Sequence, residues 1–199
     1  MLLDDEHADA VREITNVAMG QAGELLARTL DRYVHLSIPA VYVLTADRLI
    51  EAVAPSAWAQ RQVTVVREAF FGVLEGESLT LLEMNGGGDE VLGEGVGLSP
   101  HELSLEIANM LTGACLDGIA AQLGYDVGYS PPQVLSRGGS AAQALASTHP
   151  ETGAELLVIA FDLTVEASVF MSRVVLVLSS DAALLFTAAV ERFLLSVGQ

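Results

Sequence analysis

Glu13-Ile14-Thr15-Asn16-Val17-Ala18-Met19-Gly20 occurs in this chain a second time, as Glu106-Ile107-Ala108-Asn109-Met110-Leu111-Thr112-Gly113. Glu, Ile, Asn and Gly recur in the same order, each 93 residues on, and the same offset carries Ser37 onto Ser130, Pro39 onto Pro132 and Val41 onto Val134. One offset shared by separated blocks marks an internal duplication. The chain therefore reads as one domain over 1–199, made of two repeats at about 1–93 and 94–199.

Residues 4–31 have the composition of a helix, with Asp4 and Asp5 supplying a cap and first-turn acids. At about 100° per residue, Val11, Ile14, Ala18, Ala22, Leu25 and Thr29 gather into one stripe. Glu13, Asn16 and Gly20 lie within about 60° of one another on the opposite side. In the second copy Ile107, Leu111, Cys115 and Ile119 form the stripe, again opposite Glu106, Asn109 and Gly113, on a helix that is more apolar overall. Spacing by three brings a carboxylate and an amide within reach of one object, and the glycine leaves a shallow place beside them. Glycine inside a helix costs about 1 kcal/mol against alanine, so its presence in both copies asks for a reason. The alternative is that Glu and Asn are merely solvated and the glycine admits a neighbouring helix.

Glu-x-x-Asn-x-x-x-Gly on two duplicated helices resembles the CheC/CheX/FliY family of bacterial chemotaxis phosphatases, and the length is similar to that of a stand-alone CheC. The resemblance implies hydrolysis of the aspartyl phosphate of a CheY-type response regulator. Asn16 and Asn109 would orient the attacking water, and Glu13 and Glu106 would engage a lysine of the regulator. An acyl phosphate is intrinsically labile, so positioning one water supplies much of the catalysis without a nucleophile, metal or cofactor on this chain; the magnesium would belong to the regulator. Thr15 and Met19 are bulkier than the family's usual neighbours of the first Asn, so the second copy is the one expected to act if only one does. The resemblance also implies, as an alternative, a non-catalytic adaptor that binds a response regulator or the receptor deamidase CheD. A flagellar-switch role as in FliY is disfavoured by the lack of an added switch-binding domain.

Composition narrows the field. The formal net charge is −17, and all nine basic residues are arginine. Such a chain repels nucleic-acid phosphates, lacks a P-loop lysine, and offers no basic patch to a membrane. No apolar run reaches a membrane span, and the acidic start is no signal peptide. The single Cys115 excludes an internal disulfide and agrees with a cytoplasmic location; on the apolar stripe it reads as a buried, inert thiol. The four histidines are scattered without ligand spacing, and Gly138-Gly139-Ser140 is half of a nucleophile turn.

Between the motifs, Val34–Leu44 reads as a strand interrupted or edge-placed at Pro39, Thr45–Val53 as a short helix and Pro55–Ala59 as a connection anchored by Trp58. Gln62–Leu74 and Ser78–Met84 form a β-pair turning at Glu75-Gly76-Glu77. Asn85–Gly88 is a flexible connector, since acids follow it where a phosphate loop needs a cation. The second half repeats the plan: a helix starting at Ser99-Pro100 and stopping at Gly124, a strand over Val127–Leu135, a small-residue segment over Ser136–Pro150 with a short helix near 141–147, and strands over Ala154–Val165 and Ala167–Ser179. A last amphipathic helix over Asp181–Val197 takes most of its apolar surface from Leu184, Leu185, Ala188, Phe193 and Leu195. Tyr125, Tyr129 and Phe161 are expected to pack the sheet. The fold class is α+β: two layers, duplicated helix–strand–strand repeats with pseudo-two-fold symmetry, and a mainly antiparallel sheet.

Overall fold

The computed structural model describes residues 3–83, 99–141, 143, 153–166, 168 and 170–197. The first helix, α1, spans Asp5–Leu30: the Asp4 side chain accepts from the His7 amide at its start, and Asp31, at φ 49°, ends it in the left-handed region. Two strands follow, β1 (Val34–Leu36) and β2 (Ala40–Thr45), then a 3₁₀ turn and the one-turn helices α2 (Leu49–Val53) and α3 (Ser56–Ala59). β3 (Gln62–Gly72) and β4 (Gly76–Glu83) complete the first half. The second half supplies α4 (Pro100–Leu123), β5 (Val127–Tyr129), β6 (Gln133–Ser140), β7 (Glu155–Val165), β8 (Met171–Ser179) and α5 (Ser180–Val197). α4 opens on a full capping box, Ser99 with Glu102, and closes on left-handed Gly124.

All pairings are antiparallel and build one sheet in the order β1-β7-β8-β4-β3-β5, with β2 also on β7 and β6 also on β3. The symmetry is visible in that order. β4 and β8 lie at the centre, and each half sends its first two strands across to the long strand of the other half. The offset of 93 also relates β1 to β5 and β3 to β7, end for end.

The repeated Ser and Pro now have a structural cause. Ser37 donates its amide to the Asp162 carbonyl, and its Oγ accepts from the Asp162 amide, both at 2.9 Å. Ser130 does the same with Ala69, at 2.8 and 2.9 Å. A serine side chain thus carries one rung of the ladder where the strand bends, and Pro39 and Pro132 follow at the break. The single strands expected over 34–44 and 127–135 are each split there, because the following proline offers no amide.

The larger core packs α1, α4 and α5 on one sheet face, around Val11, Ile14, Ile107, Phe70, Phe161 and Phe186. The short helices cover part of the other face with Trp58, Leu49 and Val53 over Val65, Leu81 and Val158. Trp58 is indeed an anchor: its indole N–H donates to Asp162 Oδ1 at 3.0 Å, the same oxygen that receives Arg173 at 2.8 Å. The connection it sits in forms a helical turn.

Three further details differ from the sequence reading. The β3–β4 turn lies at 73–75, before Gly76. Gly76 belongs to β4 because β8 passes so close that a Cβ would meet the Val177 carbonyl at 2.2 Å. β6 runs on to Ser140, while the expected connectors at 85–88 and the short helix near 141–147 fall mainly outside the described residues. On α5 the packed residues are Ala182, Ala183, Phe186, Ala189 and Val190, whereas Leu184, Leu185 and Leu195 remain 55, 59 and 71% exposed.

Candidate functional site

Both motif helices present the faces their periodicity predicts. Val11, Ile14, Ala18 and Ala22 are buried, as are Ile107, Leu111, Cys115 and Ile119. Glu13, Asn16 and Gly20 are exposed; Glu106 and Asn109 are exposed and Gly113 half-buried. Thr15 and Met19 are buried, Thr15 donating to the Val11 carbonyl at 2.7 Å. Their bulk therefore points away from Asn16, which removes the ground for preferring the second copy.

The two glycines bear on one part of the alternative reading, that they admit a neighbouring helix. A Cβ added at Gly20 or Gly113 would meet no described atom within 4 Å beyond its chain neighbours and its own helix backbone. Gly118, lower on α4, is the opposite case: there a Cβ would stand 2.9 Å from the Cβ of Ala18. That glycine admits a neighbouring helix; the motif glycines do not. They leave room over the helix backbone beside a carboxylate and an amide, at an exposed Gly20 and a half-buried Gly113.

The helices pack antiparallel. Gln122 Nε2 donates to the Ile14 carbonyl at 2.9 Å, one turn along from the Ala18–Gly118 contact. At about 1.5 Å rise per residue, this register sets Asn16 and Asn109 about 16 Å apart along the pair. The structure thus keeps the two Glu–Asn pairs apart along the helices. At the second copy Glu106 and Asn109 line a shallow groove of about 320 Å³ with Glu102, Leu105 and Pro132. The 93-residue offset places Asp9, Arg12 and Pro39 at the corresponding positions of the first copy. The hydroxyl and amide of Ser99 lower the Glu102 carboxyl below its ordinary value.

Beneath the second copy lies a group that the sequence reading passed over. Glu68, on β3, is 2% exposed and faces α4 between Val66 and Phe70. Neither of its oxygens has a partner in hydrogen-bond geometry among the described residues. The nearby Thr112 hydroxyl favours the charged form, but burial outweighs it and pushes the acid up to about 7. Thr112 is itself engaged by Ser78 Oγ at 2.9 Å. The equivalent position in the second half, 93 residues on, is Phe161. A polar residue on the apolar face of a strand is a readable signal, since period-two alternation puts residue 68 inside.

Cys115 is buried, and burial pushes its thiol up to about 12, as an inert thiol requires. No group of three or more His, Cys, Asp and Glu among the described residues is placed to hold a metal ion. No described helix is long and apolar enough to cross a membrane.

No protein-family model and no curated protein matches the chain. Solved structures do. FliY of Thermotoga maritima shares 22% identity at a TM-score of 0.71, covering 97% of this chain and 100% of that one. The FliM middle domain of H. pylori follows at 8% identity and TM-score 0.63, covering 94% and 99%. CheX from Desulfovibrio desulfuricans aligns at 14% identity and TM-score 0.50, covering 82% and 99%. The class is the α+β fold shared by these FliY, FliM and CheX structures. Within it, the chain has the fold of the CheC/CheX/FliY family.

Proposed function

We propose that this chain is a CheC-like phosphatase that hydrolyses the aspartyl phosphate of a CheY-type response regulator. The observation that carries the reading is the pair of open glycines, each beside an exposed Glu-x-x-Asn on the same helix face. A regulator docks with its phosphoaspartate against that face, and the room over the backbone at Gly20 or Gly113 lets it approach. Glu13 or Glu106 holds the regulator's lysine by a charge-assisted hydrogen bond. Asn16 or Asn109 accepts from a water and donates to a phosphoryl oxygen, which a primary amide can do at once, and so keeps the water in line with phosphorus. Magnesium on the regulator neutralises phosphoryl charge; this chain supplies position.

The test is the rate of inorganic phosphate release from an aspartate-phosphorylated CheY-type regulator, with Asn16→Ala, Asn109→Ala and the double variant. The expected result is acceleration by the wild type, reduced in each single variant and lost in the double. An undiminished rate in the double variant would sink the reading.

The likeness to FliM supports a second reading, a non-catalytic adaptor whose duplicated face binds a response regulator or CheD. On that reading, binding survives loss of both Asn side chains and no phosphate is released.

A further inference from the structure

We propose that Arg12 is a further catalytic group of the first motif copy, donating to the phosphoryl oxygens, so that the two copies are chemically unequal; this rests on the phosphatase reading above. Comparing the copies isolates the residue. Between Asp9 and Gly20 the one basic residue is Arg12, whereas between Glu102 and Gly113 there is none and the corresponding position is Leu105.

Helix geometry gives the difference a direction. At about 100° per residue, Arg12 lies about 40° to one side of Asn16 and Glu13 about 60° to the other. The first copy thus presents cation, amide and carboxylate in a row; the second presents an apolar side chain, amide and carboxylate. A phosphoaspartate beside a lysine is an anion beside a cation. The first row meets it with complementary charge on both flanks of the amide, and the second on one flank only.

Arg12 is free to take this role. It is half-exposed, and its partner in the structure is Asp9, one turn back and itself exposed. Such a surface pair contributes little, so the guanidinium can exchange Asp9 for phosphoryl oxygens, which match its planar fork of donors. In the step itself, the water oxygen bonds to phosphorus as the bond from phosphorus to the aspartyl oxygen breaks. The aspartate leaves with the electron pair as a carboxylate, and both water protons depart on inorganic phosphate. Charge on the equatorial oxygens passes through its transition state beside Arg12, where a fixed donor acts most strongly.

The experiment measures phosphate release from an aspartate-phosphorylated CheY-type regulator with magnesium, in proteins reduced to one working copy. Asn109→Ala leaves the first copy and Asn16→Ala the second. Adding Arg12→Leu to Asn109→Ala should lower kcat at least about tenfold, with Arg12→Lys restoring part of it. Adding Leu105→Arg to Asn16→Ala should raise the rate of the second copy, a gain that misfolding cannot imitate. If Arg12→Leu leaves the rate of the first copy unchanged or raises it, Arg12 is not catalytic and the phosphatase reading stands alone. If the wild type releases no phosphate, that reading and this inference fall together.

Discussion

Glu68 makes the stability of this protein depend on pH in a way that one substitution removes. The carboxyl is buried under α4 without a properly placed donor among the described residues, and burial raises it from the ordinary 4.5 to about 7. A raised acid binds its proton more tightly in the folded chain. Its contribution is therefore fully present below the unfolded value of 4.5 and is lost as pH rises through about 7. At about 1.4 kcal/mol per pH unit, the displacement amounts to about 3 kcal/mol by pH 8. Glu68→Gln keeps the shape and removes the charge. The variant should match the wild type near pH 4 and exceed it by about 3 kcal/mol at pH 8, which for urea slopes of about 2 kcal/mol/M is a midpoint difference of about 1.5 M. Measuring urea midpoints of both proteins from pH 4 to 8 cancels every titration they share. Midpoints that stay parallel across that range would refute the burial argument.

Two other perturbations have signs that follow from the structure. Gly20→Ala and Gly113→Ala place a methyl in open space and should each raise stability by up to about 1 kcal/mol while slowing phosphate release. Gly118→Ala, which must push against Ala18, should lower stability by about 1–3 kcal/mol; calorimetry of the three variants beside their activities checks the contrast. His7 bridges Asp4 at 2.6 Å and Glu191 at 2.8 Å, tying the start of α1 to α5. Its imidazole is raised above 6.5, mainly by the bond to Asp4, so its contribution is complete below 6.5 and fades as pH rises through the raised folded value. His7→Ala should cost up to about 1 kcal/mol at pH 5.5 and less at pH 8.5, read from denaturation midpoints at the two pH values.

What could be read in advance was what repeats locally. The motif helices announce themselves through an apolar stripe sustained over 26 residues in α1 and 24 in α4. The shared offset gives the pseudo-two-fold, and alternation gives the long strands. The partner of each strand was not legible, because period two fixes the face that is buried and says nothing of the neighbour along the sheet. The exposed Leu184 and Leu185 show a related limit: an amphipathic pattern does not fix how far a helix rolls when the residues available for packing are mostly alanine. Arg12 was visible as a residue; only superposing the two copies makes its place beside Asn16 stand out.

The exchange of strands and the packing of the two motif helices tie each motif to both halves of the chain. α4 carries the second Glu-x-x-Asn but lies on β3 and β4 of the first half as well as on β5 and β6 of its own. β7, which belongs to the second half, supports β1 and β2, and these in turn contact α1, the helix that carries the first motif. Gln122 reaching the Ile14 carbonyl and Gly118 receiving Ala18 then lock the two motif helices to each other. Each motif helix is therefore held by residues of the other half, 108 positions away for Ile14 and Gln122 and 100 for Ala18 and Gly118. Glu68 is the clearest instance: a residue of the first half, it stands under Thr112 in the helix turn that joins Asn109 to Gly113. With Phe161 as its counterpart, it sets the underside of the second site apart from that of the first, just as Leu105 in place of Arg12 sets apart the outer face. The two copies thus share one frame while the residues on both sides of each motif helix differ.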